Sequence, residues 1–270
     1  MPKRGAPQKK VEDYLVPPAA KATSLDDYMS TPASAFLRSV CEAFDAFELC
    51  RNRFVKKKNG QYNKDSDDSL RYIGIAVLAT TMGHFETYQK GLFAGVFERS
   101  RHFVQMTPLA ISKKLNNPSL SLERLCAYRG AQAPVGLSVA DALPSWHDPD
   151  AVNSRFKAFG MKMDFFSNDD VATLRVLWQL RHSIVHTGAW LTKPDAQKVP
   201  ALKEKGDEGV AFDHMFVNAL SRRFHKVVKE ANRRLEAGVR SLLAPDVDAE
   251  ILDDLKHFLS VESPKSNWLS

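Results

Sequence analysis

The chain has 270 residues, 44% of them hydrophobic and 10% aromatic, enough for one large core or two small ones. No apolar run reaches the length of a membrane span, and the first residues lack the apolar segment of a signal peptide; a cytoplasmic protein is expected and a membrane protein is not. The formal charge of +6 suits a polyanionic partner without requiring one, and Cys41, Cys50 and Cys126 show neither metal-ligand nor disulfide spacing, as expected in a reducing compartment.

Residues 1–30 open with MPKRGAPQKK and continue through VPPAAKATS, rich in Pro, Ala and Lys without apolar periodicity. They read as a flexible basic arm, either a solvated tail or a contact for nucleic acid. Thr31-Pro32 is a helix start, with Pro at the first helical position. Phe36, Val40, Phe44 and Phe47 then make one buried stripe, flanked by Leu37 and Cys50, while Leu49 points away. Basic residues carry this helix to Asn59-Gly60, a turn signal, and residues 61–69 read as a polar loop whose lysine is solvated or contacts phosphate.

A long helix is predicted over about residues 68–99, with Ile75, Leu78, Met82, Phe85, Leu92 and Val96 on its core face. Glu86 falls beside that face, either as a partner for a cation on another helix or as an ordinary boundary carboxylate. His84 reads as a satisfied structural histidine. From 103 to 163 the pattern is broken by Asn116-Asn117-Pro118, Arg129-Gly130, Pro134, Gly136, Pro144 and Pro149. Short helices are expected near 109–114 and 121–128, and another over 148–159, closed by Gly160. No repeat and no second domain is evident.

Residues 169–190, DDVATLRVLWQLRHSIVHTGAW, form the most informative stretch. Ser167 or Asn168 can cap the helix, Asp169 and Asp170 suit its positive end, and Gly188 closes it. Val171, Leu174, Leu177, Trp178, Ile184 and Val185 are spaced as a buried face. Arg181 falls within that stripe, where a leucine would be expected. A guanidinium cannot shed its proton there, so it must reach the surface, pair with a carboxylate or await an anion. Gln179, His182 and His186 form a polar row alongside. Arg with His at a helix end is a phosphate-handling combination, a fixed cation plus a group able to move a proton.

Arg181-His182-Ser183-Ile184-Val185-His186, followed by Thr187-Gly188, resembles the RxxxxH motif of the HEPN-domain ribonucleases, and the helix around Thr81 to Tyr88 is similar to the Glu- and Tyr-bearing early helix of many HEPN proteins. The likeness covers the layout of residues 31–240 but, in residues, only the hexapeptide and its neighbours. Many members have a polar residue, often Asn, after the Arg; here it is His182. The resemblance implies an all-α, HEPN-like helical bundle of long antiparallel helices with a variable irregular insertion, spanning residues 31–243 and followed by a short helix and tail in 244–270. It implies a metal-independent RNA endonuclease in which the 2′-hydroxyl attacks the adjacent phosphate. His186 would act as general acid or base and Arg181 would stabilise the phosphate. His182 would share the proton transfer or bind RNA, with Glu86 and Ser183 in support. The family forms homodimers with a composite groove and serves in toxin and antiviral defence systems, so RNA, a second copy and an antitoxin or other defence-system protein are the implied partners. No cofactor is implied. Many HEPN-like domains are instead inactive RNA-binding or adaptor modules, and that alternative stays open.

Residues 191–209 read as a polar loop. A strongly periodic helix follows over 211–243, with Phe216, Leu220, Phe224, Val227, Ala231, Leu235 and Val239 on its apolar face. Arg222, Lys226, Lys229 and Arg233 form a row on the other side, either an RNA contact or a solubilising face. A short helix over 248–259 and a polar tail end the chain. Other chemistries find little footing. His182 and His186 have the spacing of a helical zinc pair but no Glu after the first and no evident third ligand. There is no phosphate-binding loop, no dinucleotide fingerprint and no nucleophile elbow around Ser183.

Overall fold

The expected mostly helical class holds in the computed structural model, which describes residues 10–17, 23–104, 106–120, 122 and 134–270. Helix α1 (Leu25–Ser30) leads into α2 (Pro32–Arg53), which folds back on α3 (Lys64–Arg99). The pairing is antiparallel: Phe36, early in α2, meets Tyr88, whereas Phe44 and Phe47 share a cluster with Leu70. After α4 (Pro108–Lys114), α5 (Val135–Ala142) and α6 (Pro149–Lys157) comes the motif helix α7 (Asn168–His186). A ribbon of β1 (Trp190–Leu191) and β2 (Glu208–Gly209) brackets the short α8 (Lys193–Gln197), and α9 (Phe216–Arg240) and α10 (Ala249–Phe258) complete the chain.

Phe85 is the meeting point of the bundle. Its ring centre lies 5.2 Å from Phe36 of α2, 5.0 Å from Phe224 of α9 and 6.4 Å from Trp178 of α7. Burying one such ring fully is worth roughly 1.5–3 kcal/mol, so this aromatic junction contributes heavily to holding four helices in register. The stripes on α2 and α9 are buried as expected, and Leu49 is exposed.

Several expectations need correction. The basic arm ends before residue 30: Ser24 and Asp27 form a capping box for α1, and its Tyr28 is buried, with its hydroxyl 2.9 Å from His84 Nδ1 and 3.1 Å from Ser39 Oγ. That contact also gives His84 the structural role expected of it. The long helix begins at Lys64 because Asn63 caps it, accepting from the Ser66 N–H, so most of the expected polar loop is helical. Residues 191–209 are not a loop. Leu191, Ala196, Val199, Leu202 and Val210 form a small core against Val176, Leu180 and Ile184 of α7. Apart from Leu122, the helix expected over 121–128, with Cys126, lies outside the described residues. Nor does the C-terminal segment stand apart: Phe258 is fully buried against α3, and the Arg99 guanidinium stacks 4.0 Å above its ring. Among the described residues no helix is long and apolar enough to cross a membrane.

Candidate functional site

The motif helix is held firmly at its start. The Ser167 hydroxyl accepts from the Asp170 N–H while the Asp170 carboxylate accepts from the Ser167 N–H, a complete capping box. Arg234 of α9 donates to that carboxylate at 2.8 Å and to the Phe165 carbonyl at 3.0 Å. Asn153 of α6 clasps the backbone of Phe166 from both sides, donating to its carbonyl and accepting from its N–H. These bonds fix how α7 leaves the core, and hence where its far end carries Arg181, His182 and His186.

At that far end the Thr187 and Ala189 N–H groups both bond the Ser183 carbonyl, and Gly188 and Ala189 adopt left-handed backbone with φ of +63° and +64°. The closure expected of Gly188 is therefore present, shared with an alanine. Val171, Leu174, Leu177 and Trp178 face the main core, as the pattern predicts. Val185 does not: it is 50% exposed, although its neighbours Ser183 and Ile184 still pack inward.

Arg181 stands in the core-facing row but near this rim, and is half-buried. Its Nε is buried without a hydrogen-bond partner, and no carboxylate among the described residues pairs with its guanidinium. Glu86, the partner considered for it, is engaged elsewhere: its carboxylate lies 2.9 Å from Lys90, one turn along α3, and Lys90 also reaches Asp141 at 3.5 Å. Ser183 is wholly buried, its hydroxyl without a partner, so it faces the interior and not the His182 side.

His182 and His186 are exposed and adjacent, ring centres 4.6 Å apart and tilted to one another. His182 lines a cleft of about 710 Å³ between α6, α7 and the turn after α8, together with His147, Arg175, Gln179 and Lys198. His147 comes from the loop before α6 and was missed by the sequence reading, which had no local signal for it. Arg175 is paired with Asp150 across this cleft, and Lys198 with Asp195 at 2.6 Å. That lysine holds the Asp195 carboxyl below its ordinary value. The structure thus brings His182 and His186 together, with His147 lining the same cleft as His182, and leaves Arg181 half-buried with its Nε unpartnered.

The basic row on α9 is exposed but largely occupied by its own chain. Arg222 bonds Asn218 at 2.9 Å, Arg233 bonds Glu230 at 2.9 Å and Lys229 reaches the Leu269 carbonyl. Among the described residues, no group of three or more His, Cys, Asp and Glu side chains is arranged to hold a metal ion. No family model, curated protein or solved structure matches the chain.

Proposed function

We propose that the chain is a metal-independent RNA endonuclease of the HEPN type that works as a homodimer. The observation that carries this reading is Arg181: a half-buried guanidinium with an orphaned Nε and no carboxylate partner among the described residues, next to exposed His182 and little over one turn from exposed His186. A half-buried cation with an unpartnered donor and no anion is costly, and such a group is kept where an anion arrives during function. A phosphodiester supplies that anion.

In the proposed reaction one imidazole takes the proton of the 2′-hydroxyl as the 2′-oxygen bonds to phosphorus. The bond from phosphorus to the 5′-oxygen breaks, and a second imidazole protonates that leaving oxygen. His186 and His182 are the candidates for these two transfers, and Arg181 neutralises the charge that builds on the phosphate. Residues five apart on a helix diverge by about 140°, so Arg181 and His186 of one chain do not converge on one phosphate. A two-fold partner solves this by pooling the two motifs. Val185 and Trp190, 50% and 49% exposed beside His186, offer the apolar surface that such a partner would cover.

The test is cleavage of mixed RNA in EDTA by wild type, Arg181→Ala, His182→Ala and His186→Ala, with the oligomeric state read by light scattering. Cleavage by wild type, leaving cyclic-phosphate ends and lost in the Arg181 and His186 variants, supports the reading. Intact RNA throughout, with RNA still bound, means a non-catalytic RNA-binding module. A toxin or defence role is tested by induced expression, which should arrest growth with wild type and not with His186→Ala.

A further inference from the structure

The turn that joins α2 to α3 gathers charge of one sign. Between residues 51 and 64 the chain carries Arg51, Arg53, Lys56, Lys57, Lys58 and Lys64 and no acidic residue. Such density would repel itself in a slack loop, yet here it is held in a defined shape. Lys56 and Tyr62 bridge as in a miniature hairpin, the Lys57 N–H donates to the Gln61 carbonyl at 2.7 Å, and Gly60 turns the chain with φ of +83°. The Tyr62 hydroxyl donates to the Arg51 carbonyl at 3.1 Å, and its ring packs on the small core of Phe44, Phe47, Leu70 and Val217.

This turn, the first turn of α3 and His214 enclose a cleft of about 590 Å³. Its walls alternate cation and ring. Lys56 Nζ lies 5.0 Å from the centre of the Tyr62 ring, and the His214 imidazole meets that ring edge-on at 5.6 Å. The one acidic residue in the lining, Asp67, is already neutralised by Arg71 at 2.7 Å, and Arg51 is paired with Glu48 at 2.7 Å. Lys56, Lys57 and Lys64 have no salt-bridge partner among the described residues, and all three face solvent. The start of a 36-residue helix adds its positive end to theirs.

We infer that this cleft is a binding site for the backbone of single-stranded RNA, apart from the motif on α7. Unpaired lysines interleaved with a tyrosine and a histidine are the chemistry that tracks phosphates while giving bases a ring to lie against. The Tyr62 and His214 rings in the lining argue for a single strand, whose unpaired bases can lie against a ring as those of a duplex cannot. That the nucleic acid is RNA rests on the ribonuclease reading above; the anion-binding character does not. The site also supplies what the α9 row lacks, namely several cations not engaged by their own chain.

The experiment is fluorescence anisotropy of a labelled oligouridine, titrated with the full chain over a series of salt concentrations. It compares His186→Ala alone with His186→Ala carrying Lys56→Ala, Lys57→Ala and Lys64→Ala, so that cleavage does not enter. A control removes the same charge elsewhere, at Lys113, Lys114 and Lys256. The cleft variant should weaken binding by about tenfold or more, and the slope of log K against log salt should fall by about two, since each lost phosphate contact on a single strand is worth roughly 0.7. His214→Ala should weaken binding while leaving that slope in place. Competition with uridine monophosphate, inorganic phosphate, oligodeoxyuridine and duplex RNA separates the sources of phosphate; single-stranded RNA should compete best. Equal loss in the charge control, unchanged binding in the cleft variant, or duplex competing as well as single strand would overturn the inference. If wild type never cleaves RNA but the cleft variant still loses binding, the ribonuclease reading falls and this one stands.

Discussion

The rings of His182 and His186 lie 4.6 Å apart, tilted by 41° to one another, on the exposed last turn of α7. Two imidazoles that touch cannot act as independent surface groups; a proton, a phosphate oxygen or a water held by one is felt by the other. If they serve one transesterification step, each single alanine variant should lower cleavage by roughly 100-fold or more, and the double variant should cost little beyond the worse single. Single-turnover cleavage of a defined RNA measures this. Losses that multiply would assign the histidines to separate steps, and an unaffected His182→Ala would leave His182 as an RNA contact only.

Arg181 should show the opposite balance of stability and activity. Its Nε is buried without a partner, which typically costs about 1–3 kcal/mol. Arg181→Met keeps the length and removes the orphaned donor, so the urea midpoint should hold or rise, by up to about 1 kcal/mol in stability, while cleavage is lost. A clear fall in stability would mean that the guanidinium is anchored in the fold and is not waiting for an anion.

The parts of this fold legible in the sequence are those where one helix face decides burial. The stripes of α2 and α9 follow from spacing, whereas the cap of α7, open between Ser167 and Asn168 in the sequence, falls on Ser167. The parts that escaped it depend on a partner distant in sequence. Tyr28 is buried because α1 crosses α3, so the Pro- and Lys-rich composition before it says nothing of its fate. Residues 191–210 carry a few scattered apolar side chains without period, yet these converge once the β-ribbon folds them against α7. Glu86 and Lys90 stand one helical turn apart, so their pair is legible from spacing alone. His147 reaches the His182 cleft from another loop, a placement that no local pattern encodes.

One buried histidine, His225, and one half-buried histidine, His84, make the fold acid-sensitive. His84, bonded to the Tyr28 hydroxyl, and His225, which donates Nδ1–H to the Ser221 carbonyl and accepts from Ser263 at 2.7 Å, both have pKa values lowered by burial. The charge of Lys265 lowers that of His225 further. A lowered histidine means that the unfolded chain takes up the proton first. Stability is therefore full above the unfolded value near 6.5 and is lost as pH falls from there toward the folded values. Glu42, raised above 4.5 by burial, opposes this only toward the acid end. The thermal midpoint should drop between pH 7 and pH 5.5, and His84→Gln and His225→Gln should each flatten that slope. A midpoint independent of pH in this window would show that neither ring is held neutral by the fold.

Two glycines of α3 should respond to alanine with opposite signs. A Cβ at Gly91 would stand 2.4 Å from the Tyr28 carbonyl oxygen, a backbone atom that cannot swing aside, because α1 crosses α3 at this point. Gly91→Ala should cost about 1–3 kcal/mol and loosen α1, which would appear as faster amide exchange over residues 25–31. A Cβ at Gly83 meets nothing within 4 Å, and its helical backbone needs no glycine. Gly83→Ala should stabilise the protein by about 0.5–1 kcal/mol through helix propensity alone. Both values come from urea unfolding with the slopes compared, and equal effects at the two positions would mean that α1 does not press on α3 at Gly91. Because α1 carries Tyr28 to His84, Gly91→Ala should also expose that half-buried imidazole further. Its share of the acid sensitivity should then disappear in the same variant.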